Sequence, residues 1–162
     1  MTDILRMLLI ILLLTASLAA YFLVIGALFT NRVTKTQRAI NQLTGRSFLV
    51  GFVNFLFFGV IAIVLFSVAD NTSGAIRFIL TIPALLITAL LTVILSFGLA
   101  GMVNTMGERI LPQNSSVEKS VWGTVILAFA CALPLVGWFL LFPYVGLVGF
   151  GAVILGFFQR DI

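Results

Sequence analysis

The chain has no histidine and a single cysteine, Cys131. A lone cysteine has no partner for an intrachain disulfide. Zinc sites with the usual Cys and His spacing are excluded, as are haem ligation by imidazole and the HExxH motif of metalloproteases. These absences predict a protein without a metal centre and without a bound cofactor.

Charged residues are also scarce, at 9% of 162 residues. Within the long apolar stretches the one charged residue is Arg6, near an end. Proton relays and ion pathways depend on ionisable groups at membrane depth, and a nucleophile needs a base beside it. The two lysines, Lys35 and Lys119, both lie in polar segments. We therefore expect no enzymatic activity and predict no catalytic residue.

Hydrophobic residues, by contrast, make up 62% of the chain. A soluble domain of this size is typically below about 50% apolar and near 25% charged, because one core cannot hide more apolar surface. The composition predicts an all-α, polytopic transmembrane helical bundle of four or five helices, with residues 1–162 forming a single integral membrane domain.

Apolar stretches predict membrane spans at about residues 4–29, 47–69, 78–106, 121–139 and 144–158. The first stretch begins like a signal peptide, but its apolar run continues through Ile25, so we predict a retained transmembrane helix. Residues 121–158 carry no charge and are too long for one crossing. They predict a tight hairpin with its turn near Phe142 and Pro143. A re-entrant second half is the alternative.

Residues 30–46 form a basic segment without an acidic residue. Two interpretations fit it: an amphipathic helix lying in the membrane interface, or a solvated loop. Its cations are predicted to contact anionic lipid headgroups, and they are Arg32, Lys35, Arg38 and Arg46. Cation counting places segments 30–46 and 107–120 in the cytoplasm and the N-terminus outside, in a bacterial inner membrane. Nucleic-acid binding is not expected, since no stripe of cations alternates with aromatic residues.

Small and polar residues at membrane depth are candidates for helix packing. Asn54 is the most polar side chain deep in a span, and it predicts a hydrogen bond between helices. Small residues cluster in the last helix, where they predict close packing within the bundle or against a partner subunit. The cluster consists of Gly146, Gly149, Gly151, Ala152 and Gly156. Phenylalanines crowd the second span and suggest either contact with acyl chains or a site for an apolar ligand.

Residues from about 107 to 158 carry the pairs Leu133-Pro134 and Gly137-Trp138 and close with Gly149-x-Gly151-Ala152. This stretch resembles the C-terminal membrane region of bacterial proteins of the bactofilin, or polymer-forming cytoskeletal, type. Those proteins join their membrane region to a soluble repetitive β domain, and no such domain is present in this sequence. The resemblance implies a membrane anchor or scaffold role and carries no implication of polymerisation.

Taken together, the sequence favours a non-catalytic accessory or scaffold subunit of a larger membrane protein complex, with other integral membrane subunits and membrane lipids as its partners. Two further hypotheses stay open. One is a small oligomeric transporter or channel for a neutral or apolar solute. The other is a lipid- or pigment-binding membrane protein that uses the phenylalanine-rich second span.

Overall fold

The computed structural model describes residues 2–133 and 135–158. In these residues the chain forms five α-helices and one turn of π-helix, and contains no strand. The helices are α1 (Thr2–Leu28), α2 (Thr30–Asp70), α3 (Ala75–Ile110), α4 (Ser116–Ala132) and α5 (Phe142–Phe158), and the π turn is Gly137–Leu141. The predicted all-α helical architecture is confirmed.

Within the described residues, four helical segments are long and apolar enough to cross a membrane: Leu5–Leu28, Thr30–Asp70, Ala75–Ile110 and Gly137–Phe158. This agrees with an integral membrane protein. Helix α2 has 41 residues, or about 60 Å at 1.5 Å per residue, twice the roughly 30 Å of bilayer hydrocarbon. Helix α4 has 17 residues, fewer than the about 20 that a crossing typically takes.

The basic segment 30–46 is the first part of helix α2, so it is helical and not an irregular loop. At Leu43 the backbone leaves helical geometry (φ −135°, ψ 39°), which kinks α2 near the end of this segment, three residues before Arg46. One face of the segment is buried, at Val33, Thr36 and Ile40. That face packs against protein: a Cβ added to Gly101 of α3 would lie 2.7 Å from Thr36 Cγ2 and 3.3 Å from Ile40 Cδ1.

Close contacts between glycines and neighbouring helices fix the direction of each helix. Gly107 and Val103 of α3 approach Lys119 and Gly123 of α4 respectively, so α3 and α4 are antiparallel. Gly146 and Gly149 of α5 lie against Leu95 and Gly98 of α3, so these two helices are parallel. The chain therefore reverses direction between α4 and α5, as a hairpin requires.

This reversal lies earlier in the chain than predicted. It lies between the end of α4 at Ala132 and the start of the π turn at Gly137, and not near Phe142 and Pro143, because the π turn runs directly into α5. Proline lacks an N–H, and it is tolerated in the first residues of a helix and beside the wide hydrogen-bonding pattern of a π turn. Gly137 closes the reversal: a Cβ there would overlap the carbonyl oxygen of Cys131. Pro134 lies outside the described residues.

The buried core lies toward one end of the bundle. One cluster centres on Ile40, Met102 and Val148, and a second on Phe22, Val33 and Val103. This end also holds the start of α2, the end of α3 and the start of α4. It carries Arg32, Arg38, Glu108, Arg109 and Lys119, and we call it the basic end. At the opposite end the short α2–α3 connection contains Gly74, with φ +72°, a backbone region that favours glycine.

Candidate functional site

The closest helix contact in the described chain is a crossing of α2 and α5 built from small residues. A Cβ added to Gly51 would overlap the carbonyl oxygen of Leu147, and one added to Gly151 would overlap that of Ser47. Ser47 itself is fully buried. Two backbones approach this closely only where side chains are absent or small, which is how helices associate without a hydrophobic driving force.

Two further crossings join α3 to its neighbours. Gly98 and Gly149 meet backbone to backbone, so that a Cβ on Gly149 would lie 2.6 Å from the carbonyl carbon of Gly98. Glycines 107 and 123 stack α3 on α4 in the same way. Sequence reasoning did not single out Gly98, Gly107 or Gly123. An isolated glycine has no recognisable packing signal until the residue opposite it is known.

The small-residue cluster of α5 thus divides by position. Gly149 and Gly151 lie at crossings, and Ala152 is fully buried in the core. Gly146 and Gly156 instead have ordinary van der Waals room around them, with neighbours 3.5 and 3.7 Å from an added Cβ. The cluster as a whole faces α2 and α3 of the same chain.

Asn54 does not bridge helices. Its Nδ2 donates to the carbonyl oxygen of Val50, one turn earlier in α2, at 2.8 Å. This bond replaces the interhelical one that the sequence predicted. A helix carbonyl four residues back is within reach of such a side chain without any contribution from a neighbouring helix.

An apolar groove of about 490 Å³ opens between α2, α3 and the start of α5. Two rings of the phenylalanine-rich span, Phe52 and Phe55, line it, whereas Phe57 and Phe58 pack edge to face on one another outside it. The other lining residues are Leu56, Gly59, Val60, Ile63, Leu95, Leu99, Phe142, Pro143, Gly146 and Leu147. The groove has the character of a site for an acyl chain or another apolar molecule.

A second pocket, of about 310 Å³, lies at the basic end between α1, α2, α3 and α4. Its walls include Asn104, Glu108, Lys119 and Ser120, whose buried hydroxyl has no hydrogen-bond partner. Gln37 in the same wall donates to Glu108, and Arg109 of α3 donates to Asn41 of α2 at 3.4 Å. The polar segments 30–46 and 107–120, predicted to share one side, are therefore in direct contact.

The cations of segment 30–46 are in different surroundings. The Arg32 guanidinium lies 4.4 Å from the centre of the Phe157 ring. Lys35 is half-buried, and it lines two neighbouring cavities at once. Arg38 lines the more polar of these two cavities, whereas Arg46 is exposed and lines neither. The structure thus groups Arg32, Lys35 and Arg38 and leaves Arg46 apart.

Much of the apolar surface at membrane depth is left uncovered by the chain itself. In the most apolar stretches of α1, α2 and α3, only 17%, 11% and 6% of the residues are buried, against 50% in the segment that contains α5. In α1 every residue from 5 to 14 is exposed. The helices pack tightly at the basic end, whereas the apolar stretches of α1, α2 and α3 have few buried residues.

Comparison of the chain with protein-family models, curated proteins and solved structures gives no match. Its function is therefore argued from the geometry above.

Proposed function

We propose that the chain is a structural subunit of a larger integral membrane assembly and carries no chemistry of its own. The observation that carries this proposal is the contrast in burial between helices: 6% in the apolar stretch of α3 against 50% in the segment that contains α5. A helix that packs on its own chain buries one face. In the most apolar stretches of α1, α2 and α3 most residues are exposed or only half-buried, so much of their surface is left to lipid or to a neighbour.

The division between packed and bare regions supports a partner in addition to lipid. Helix association in lipid depends on van der Waals packing, and the glycine crossings of this chain lie at the basic end and in the half of the bundle next to it. They hold that half together, while few residues are buried in the most apolar parts of α1, α2 and α3. Other integral membrane helices are suited to pack there. The resemblance of residues 107–158 to a bactofilin-type membrane region agrees with an anchoring role, and we expect the basic end to face the cytoplasm.

Photocrosslinking within native membranes tests this proposal. A photoreactive phenylalanine analogue at Phe57, which is 59% exposed, is expected to give discrete adducts with other membrane proteins. The same analogue at Phe22 is the control, because its ring is buried against α2 and α3 and should crosslink only within the chain. Adducts to lipid alone at Phe57, and equally at other exposed positions of α1 and α3, would contradict the proposal.

The apolar groove favours a second candidate function, the binding of a lipid or another apolar molecule at membrane depth. The matched pair Gly59→Trp and Gly45→Trp tests it. Both glycines lie in α2 with open space around them, but only Gly59 lines the groove. If the groove has a specific occupant, an apolar molecule that co-purifies with the natural chain is lost from Gly59→Trp and retained by Gly45→Trp. Equal retention by both variants excludes the groove as its site.

A further inference from the structure

Two cavities meet at Lys35 on the basic end, and their chemistry differs. The first, of about 210 Å³, is a cleft between α2, α3 and α5 with apolar walls that include Phe29, Phe97, Val153 and Phe157. The second is a polar cavity on α2 lined by Asn31, Thr34, Lys35 and Arg38. Because both share Lys35, they form one amphipathic surface, apolar on one side and cationic on the other.

We propose that this surface binds one anionic phospholipid, with its phosphate at the polar cavity and part of an acyl chain in the apolar cleft. The polar cavity offers the side-chain amide of Asn31 and the guanidinium of Arg38, both of which can donate to phosphate oxygens, whereas the Thr34 hydroxyl already donates to the Thr30 carbonyl oxygen at 2.8 Å. Arg32 adds a cation to the wall of the cleft, where its guanidinium covers the face of Phe157. None of the described residues that line the two cavities is an Asp or a Glu.

The depth of the surface also suits a lipid headgroup. The apolar stretch of α1 ends at Leu28, directly before Phe29 in the cleft wall. In the sequence, the apolar run that contains α5 ends at Phe158, directly after Phe157 and before Gln159 and Arg160. Two apolar spans thus stop at the place where the cations begin. In a bilayer that level is the boundary between acyl chains and phosphates, where basic side chains attract anionic lipids. The apolar cleft would contribute nothing to the binding of a free anion from water.

The cationic half of the proposal is tested by native mass spectrometry of the full chain, delipidated in mild detergent and titrated with phosphatidylglycerol or phosphatidylcholine. Arg32→Gln and Arg38→Gln are each expected to weaken phosphatidylglycerol binding about fivefold, the effect of one cation near an anionic surface. Arg46→Gln is the matched control: it removes the same charge from the same helix outside both cavities. It should change binding less than about twofold, as expected for an exposed charge away from the ligand.

The apolar half is tested by Gly156→Leu, which places a side chain in the cleft and leaves every charge in place, since a Cβ there makes only ordinary contacts with Lys35. Loss of phosphatidylglycerol binding is expected. Thermal unfolding in lipid-free detergent checks that the variant is folded, and Phe157→Ala, which removes a cleft wall, gives an independent measure. The proposal is overturned by equal losses in Arg46→Gln and Arg38→Gln, by equal binding of phosphatidylcholine, or by inorganic phosphate displacing the lipid at similar concentration.

Discussion

Gly51 and Gly59 lie two turns apart on α2 and illustrate how differently one residue type acts in this chain. At Gly51 the α5 backbone occupies the space of a side chain, whereas at Gly59 nothing lies within 4 Å of an added Cβ. The first glycine permits a helix crossing. The second only lowers the local helix propensity, by about 1 kcal/mol relative to alanine.

We therefore expect Gly51→Ala to destabilise the protein by about 1–3 kcal/mol, the range seen when an extra carbon is forced into a packed core. The neighbour at Gly51 is backbone and cannot rotate away. Thermal unfolding in detergent measures the effect. Gly59→Ala is the matched control and should leave stability unchanged or slightly raised. A loss from Gly59→Ala as large as that from Gly51→Ala would disprove the crossing.

Ser115 begins α4 with a capping box. Its Oγ accepts from the Glu118 N–H at 3.3 Å, while the Ser115 N–H donates to Glu118 Oε2 at 3.2 Å. Ser115→Ala removes one of these bonds and leaves an N–H at the helix start without its partner. A loss of about 1 kcal/mol is expected, typical of an N-cap. Thermal unfolding of this variant against Gln113→Ala, which changes an exposed residue and keeps both bonds of the capping box, measures it. An unchanged midpoint would mean that the cap adds nothing.

The same box gives stability a pH dependence. Hydrogen bonds from the Asn114 side chain and from the Ser115 backbone lower the pKa of Glu118 below its ordinary value of 4.5. A carboxylate with a lowered pKa stabilises the folded state above its ordinary pKa, and this contribution is lost as pH falls through the folded-state pKa. Unfolding midpoints of the natural chain should therefore fall more steeply with acidification below about pH 4.5 than those of Glu118→Gln. Identical pH profiles would contradict this.

At the scale of helices, the basic segment shows what periodicity can and cannot predict. Val33 and Ile40 share a face in the sequence, and the structure buries both. Of the two interpretations that the sequence left open, the interfacial helix assigned that face to lipid. In the structure it packs on α3, because Gly101 leaves room for Thr36 and Ile40. Amphipathic periodicity indicates that a face is covered, but it does not say whether protein or lipid covers it.

The contact of this segment with α3 is testable by crosslinking. Cysteines at Gln37 and Glu108, whose side chains are hydrogen-bonded, should react readily with a short bifunctional thiol reagent once Cys131 is replaced by serine. The pair Arg46→Cys and Glu108→Cys is the control, because Arg46 lies beyond the kink at Leu43. If the segment left α3 to lie flat on the membrane, the two pairs would react at similar rates.

The sequence predicts that a hairpin joins α4 and α5, but it does not predict which residues form the turn. An uncharged stretch too long for one crossing requires a reversal, and proline and glycine suggest where. Pro143 was a misleading signal, because it is accommodated at the start of α5 beside the π turn. Gly137 was the informative residue, since its missing side chain allows the chain to turn back on Cys131. Several prolines and glycines in this stretch could form the turn. Which of them does so depends on the packing around each residue, and the sequence alone does not give that packing.

At the scale of the whole molecule, apolar residues are buried unevenly along the bundle. Its core clusters and glycine crossings lie toward the basic end, and the apolar stretches of α1, α2 and α3 are largely bare. The sequence predicted the membrane class from composition. The unevenness was not predictable, because burial depends on which helices meet, and glycines such as Gly98 and Gly123 decide that only in pairs.

The mass and composition of the particle extracted from native membranes in mild detergent test the central claim most directly. If the chain is a structural subunit, it elutes in a particle well above its own 17.6 kDa, together with other membrane proteins in fixed ratio. The bare faces of α1, α2 and α3 account for the contacts. A particle that contains only this chain and lipid, as a monomer or a symmetric oligomer, would contradict the account.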